Sequence, residues 1–152
     1  MKLWGGEFLT LSTPAFVADK KTRDTFLASD PIRSVWQRLR KADAALVGVG
    51  PLEQSVYSER GVLAPSDVNQ LRNSGAVGEI CGRFFDKEGD ECNSPWRNRA
   101  ISVELDVLRK IPQVIGVAAG PDRASAVAAA MRGGLLKSLL IDESGATALL
   151  AG

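Results

Sequence analysis

The sequence contains no histidine. That removes Ser-His-Asp and Cys-His relays and any imidazole general base, because no other side chain titrates near neutrality without a strong perturbation. Cysteine is almost as scarce, with two residues, Cys81 and Cys92. Two thiols cannot build a disulfide framework, and without histidine they cannot close a four-ligand structural zinc site. Free thiols in a reducing cytosol are expected, with a bridge between the two left open. No run of 18 apolar residues occurs, which excludes a transmembrane helix. The start, Met1-Lys2-Leu3-Trp4-Gly5-Gly6-Glu7, lacks the apolar stretch of a signal peptide. Charge of one sign is missing too: 19 basic side chains face 18 acidic ones, a net charge of +1. The two signs are interleaved, as in Asp19-Lys20-Lys21-Thr22-Arg23-Asp24, so no stripe arises that would draw nucleic acid or an anionic membrane. The expectation is a cytoplasmic protein with no membrane partner, no metal site and no cofactor.

What is present is ordinary for a folded domain: 152 residues, 45% hydrophobic and 24% charged, enough to bury a core and read as one domain over 1–152. Residues 1–18 are irregular, and 19–27 form a short helix. Asp30-Pro31 opens a second helix, with Asp30 as cap and Pro31 at its first position. Ile32, Val35, Trp36 and Leu39 then supply one apolar face. The run 44–50, bounded by Asp43 and Pro51, reads as a strand buried on both faces, as in parallel sheets. Ser66-Asp67 caps a helix that turns Val68 and Leu71 inward. Residues 77–86 read as one strand with a bulge or close approach at Gly78 and Gly82. A turn at 87–90 and a polar loop through Arg99 follow, then a helix over 102–110 stopped by Pro112. The last third alternates cleanly: strand 114–118, turn 119–121, alanine-rich helix 122–132 ended by Gly133-Gly134, strand 139–142 and helix 145–150. Strands alternating with helices predict a parallel α/β sheet with right-handed crossovers.

In such sheets ligands bind beyond the carboxyl ends of strands, where turns present backbone amides. Three turns qualify: Gly48-Val49-Gly50, Gly78-Glu79, and the stretch from Ala118 through Gly120 to Arg123. The third is the best anion candidate, a glycine turn at a helix start with a guanidinium beside it. A Gly-Pro turn before a helix is also commonly only a turn, and Gly48-x-Gly50 lacks the third glycine of a dinucleotide fingerprint. Glu79, in an apolar strand, is either buried with a specific partner or exposed at a sheet edge. Trp4, Trp36 and Trp96 read as packing or interface residues rather than stacking platforms.

The stretch from Gly75 to Asp86 (GAVGEICGRFFD) resembles the signature of the SorC sugar-binding domain family, which includes DeoR-like and central glycolytic regulators. So do LDVLRKIP from Leu105 to Pro112, then VIGVAAGPDRASAVAAAMRGG and SLLIDESGATALL. Upstream, DPIRSVWQRLRKADAALVGVG is similar to the family's helix-strand unit. Together these blocks cover about residues 14–150 in the family's order. The resemblance implies a three-layer α/β domain with the sugar-phosphate isomerase and CoA-transferase fold. It would act as a non-catalytic sensor of a phosphorylated sugar, in a transcriptional regulator that assembles as a dimer or tetramer. It implies effector contacts at Glu79, from the GAVG-D/E block, and at Arg123, where the family carries a lysine. Gly48, Gly50 and Gly120 would give backbone access.

Arg123 keeps the charge but cannot form a Schiff base, which excludes a carbonyl-capturing mode there. Family domains also extend upstream, through the first strands, another phosphate loop and a DNA-binding helix-turn-helix. Autonomous operator binding is therefore not expected of this chain, and effector affinity is expected to be low or lost. The rival from another class is a sugar-phosphate isomerase or deaminase using Glu79 or Asp86 as base. A ligand-free oligomerisation module is the third reading.

Overall fold

Asp19 ends the entry segment: its carboxylate accepts the Thr22 N–H at 2.7 Å and starts α1 (Lys20–Ala28). The structure, a computed structural model, describes residues 5–152, so Trp4 lies outside it. One residue later comes α2 (Asp30–Leu39), whose cap is Ser29 and not the expected Asp30. The helix begins a residue early, which puts Asp30 in its first turn, still favoured by the dipole and paired with Arg33. Then follow β1 (Ala44–Gly48), β2 (Gly50–Pro51), α3 (Val56–Glu59) and α4 (Pro65–Asn73). Asp67 does serve the start of α4, but from its third position: its carboxylate takes the Ala64 N–H at 2.8 Å. The chain continues through β3 (Gly78–Ile80), β4 (Arg83–Phe85), α5 (Leu105–Lys110), β5 (Gln113–Ala118), α6 (Ala124–Arg132), β6 (Ser138–Ile141) and α7 (Glu143–Ala151).

Two sheets result. β1, β5 and β6 form a parallel sheet in the order β1-β5-β6, as the strand-helix alternation implies. β2, β3 and β4 form a small antiparallel sheet that composition and periodicity do not foretell. Its cause is local. Cys81 (φ 54°) and Gly82 (φ 74°) are both left-handed, a two-residue turn that folds 77–86 back on itself. The expected single strand is therefore a hairpin in which Glu79 faces Phe84 and Ile80 faces Arg83. Likewise the run 44–50 is not one strand: it leaves the parallel sheet after Gly48 and joins the antiparallel one at Gly50.

The core lies where α5, α6 and the hairpin meet one face of the parallel sheet. Val114, Ile80, Phe85, Leu108 and Val127 are fully buried there, each contributing about 1.5–3 kcal/mol. α6 packs through its small residues Ala126, Ala129 and Ala130, close enough that a Cβ on Gly78 would lie 2.6 Å from that of Ala126. At its end, Gly133 meets Gly89 so tightly that a Cβ on either would stand 2.6 Å from the other's Cα. Arg109 ties both turns, its Nε donating to the Gly133 carbonyl at 2.9 Å and its Nη2 to that of Gly89 at 2.7 Å.

The opposite face of the parallel sheet is bare among the described residues. Strand register places Leu46 beside Ile115, and Val117 beside Leu140, on that face. Leu46 is 73% exposed and Leu140 65%. β1 is thus buried on one face, not two: its apolar run suits a covered sheet, and only one side has a cover here. No described helix is long and apolar enough to cross a membrane.

Candidate functional site

β1 and β5 end side by side, Gly48 opposite Val117. Beyond those ends an open cleft of about 790 Å³ is lined by both strand ends, by β2, α3 and the hairpin, and by Arg123. Four of the five residues singled out from sequence line it: Gly48, Gly50, Glu79 and Arg123.

Glu79 reaches the cleft through the antiparallel sheet, which sets it opposite Gly50. It is 8% exposed. Its Oε2 accepts the Gly82 N–H at 3.0 Å; Oε1 makes no hydrogen bond among the described residues. Burial pushes the carboxyl above the usual range, opposed by the Gly82 amide. Gly50 has a physical role here, since a Cβ on it would sit 3.0 Å from Glu79 Oε1. A side chain there would press on the acceptor. Gly48 is different: a Cβ on it would meet nothing within 4 Å, so its open backbone is a freedom, not a necessity.

Arg123 stands at the end of a short 3₁₀ turn (Pro121–Arg123) that precedes α6. Its Nη1 donates to the Ala119 carbonyl at 3.0 Å and pairs with Asp122 at 3.2 Å. Nη2 and Nε have no partner among the described residues. Gly120 does not line the cleft. Its φ of 93° makes the turn, and its N–H donates to Asp142 Oδ1 at 2.9 Å. The same oxygen accepts the Gly145 N–H, and these donors, with the Ser144 hydroxyl, hold Asp142 below the usual carboxylate range. The chain's own carboxylate therefore takes the Gly120 amide of that turn. The guanidinium remains.

Sequence reading passed over Tyr57 and Gln54 of the cleft wall. The one available signal was an aromatic in a Ser-initiated helical turn, where Ser55 Oγ accepts the Tyr57 N–H. Asp86, the other candidate base, is engaged elsewhere. Asp86 Oδ1 accepts the Glu88 and Asp90 amides and so shapes a turn. Arg83 is buried against Glu91, Ser102 and the Arg97 carbonyl. Trp36 and Trp96 are buried, with the Arg99 guanidinium 4.1 Å over the Trp96 ring. Cys81 and Cys92 are unbridged, and burial followed by the Glu79 charge pushes the Cys81 thiol up to about 11.

Residues 2–151 match the family described as "Putative sugar-binding domain". Among curated proteins the chain is similar to the transcriptional regulator YjhU of Escherichia coli K12, 34% identical over 147 residues. That alignment covers 96% of this chain and 45% of YjhU. It is 36% identical over 123 residues to the Escherichia coli transcriptional regulator LsrR, covering 78% of this chain and 39% of LsrR. Among solved structures it is similar to the sugar-binding domain of a transcriptional repressor from Vibrio fischeri, 34% identical with a TM-score of 0.87. That match covers 99% of this chain and 60% of the other. The chain thus spans less than half the length of these curated relatives.

Proposed function

The chain belongs to this sugar-binding domain family, and on that premise we propose that it is the effector-binding module of a bacterial regulator of carbohydrate metabolism, taking a phosphorylated sugar without transforming it. The observation that carries the reading is the shared cleft. A buried carboxylate with one oxygen, and a guanidinium with two nitrogens, that have no partner among the described residues line the same cleft. The carboxylate can accept from sugar hydroxyls, and the planar guanidinium suits a phosphate. Gly50 keeps the acceptor clear. The related proteins are named as transcriptional regulators, which favours a sensor over the isomerase or deaminase alternative. Of the two bases that alternative would use, Asp86 is tied into a turn. Contact with DNA, in this proposal, belongs to a helix-turn-helix outside this chain. Its single 1–152 domain works in a cytoplasmic homo-oligomer.

The test is thermal denaturation against a panel of sugar phosphates. A site filled at 100 times its dissociation constant adds about 2.7 kcal/mol, roughly 5–10 °C for a domain of this size. Arg123→Ala and Glu79→Gln should each abolish the shift. A folded sample that no panel member stabilises would overturn the proposal.

A further inference from the structure

Tyr57 and Glu79 are drawn together by one turn residue. The Tyr57 hydroxyl oxygen lies 3.1 Å from the position a Cβ would take on Gly82, whose N–H donates to Glu79 Oε2. The phenol ring stands edge-to-face with Phe16, with centroids 4.9 Å apart, and the Tyr57 N–H donates to Ser55 Oγ. Tyr57 is half-buried and lines the cleft, yet its hydroxyl makes no hydrogen bond among the described residues. Glu79 Oε1 likewise has no partner among the described residues. A donor and an acceptor with no protein partner among the described residues are thus each within one contact of Gly82, at the end of the cleft served by the hairpin.

Resting on the effector reading above, we propose that Tyr57 is a specificity-determining residue: with Glu79 it reads a pair of adjacent ligand hydroxyls. The phenol O–H donates to one hydroxyl oxygen while Glu79 Oε1 accepts from its neighbour. Polyol phosphates would be selected over anions that carry no hydroxyl pair, because a partner lacking the matching group leaves a desolvated polar atom unpaired. Burial, then the charges of Glu79 and Cys81, push the phenol up to about 12, so it keeps its proton at any physiological pH. Arg123 alone would bind phosphate without regard to what the phosphate is attached to.

The chain has a single tyrosine, so 3-fluorotyrosine labelling gives one fluorine resonance that reports on this position. Ribose 5-phosphate, glucose 6-phosphate and fructose 1,6-bisphosphate are titrated in turn, with inorganic phosphate as the hydroxyl-free control. At least one polyol phosphate should shift the line, and inorganic phosphate should not. By calorimetry, Tyr57→Phe should weaken that polyol phosphate about five- to tenfold and leave inorganic phosphate unchanged. If a polyol phosphate binds in an Arg123-dependent manner while the resonance stays still, or binds Tyr57→Phe as tightly as the native protein, this inference fails and the effector reading stands. If no polyol phosphate binds the folded protein, both fall.

Discussion

A carboxylate as buried as Glu79 works against the fold that holds it. Its pKa is raised, so the folded state binds the proton more readily than the unfolded chain. The stabilisation from the protonated form is complete below the ordinary carboxylate range. It is lost as pH rises through the elevated folded value. Glu79→Gln removes that dependence while keeping an oxygen for the Gly82 amide. The expected result is a higher melting temperature than the native protein at neutral pH, a difference that closes in acid, with effector binding lost; paired melts across pH check it. The thiol beside Glu79 offers a second test. With Cys81 held near 11 by burial, a disulfide reagent at pH 8 should label the native protein at least tenfold more slowly than the denatured chain. Glu79 and Arg123 were legible as candidates because a carboxylate in an apolar strand and an arginine at a helix start are chemically conspicuous. Tyr57 was not, since nothing in a short Ser-led turn says which way a phenol points. Nor was the partner of Gly120, because Asp142 lies 22 residues further along the chain.

Helices and parallel strands follow local rules that a sequence displays; the hairpin does not, because its turn sits inside an apolar run. Cys81-Gly82 is an unusual pair for two left-handed residues, where Asn-Gly or Asp-Gly is the common signal. Gly82 carries most of the requirement. A Cβ there would be left-handed and only 3.1 Å from Phe16 and Tyr57. Gly82→Ala is therefore expected to destabilise by about 1–2 kcal/mol from the backbone alone, read as a lower denaturation midpoint at unchanged slope. It should also weaken effector binding, since the same turn holds Glu79. The starts of α2 and α4 lie one to three residues before the expected ones, and that of α5 three residues after, for a related reason. Ser29, Ala64 and Glu104 cap their helices without a side-chain hydrogen bond, so the polar residues that look like caps lie elsewhere. At the other end of α6, the Gly89–Gly133 contact depends on Arg109. Arg109→Ala leaves two carbonyls without their charged donor and should lower stability by about 1.5–3 kcal/mol, measurable by urea denaturation.

At the scale of the whole molecule, strand-helix alternation foretells the parallel sheet, but not that one of its faces lies open among the described residues. The apolar runs of β1, β5 and β6 are those of a sheet covered on both sides, and sequence cannot show which cover is present. Leu46 and Leu140 touch little, so Leu46→Lys with Leu140→Glu should leave the melting temperature within about 2 °C, in line with other surface changes. The same pair should reduce any self-association seen by light scattering, because an exposed apolar patch invites it. The open face also has a calorimetric signature. A fully packed chain of this length would unfold with a heat-capacity increment of roughly 1.8–2.3 kcal/mol/K. Apolar surface already wet in the native state contributes nothing to that increment. Scanning calorimetry should therefore give a value below this range and a flatter stability curve, and any molecule that seats itself on Leu46 and Leu140 should steepen the curve again.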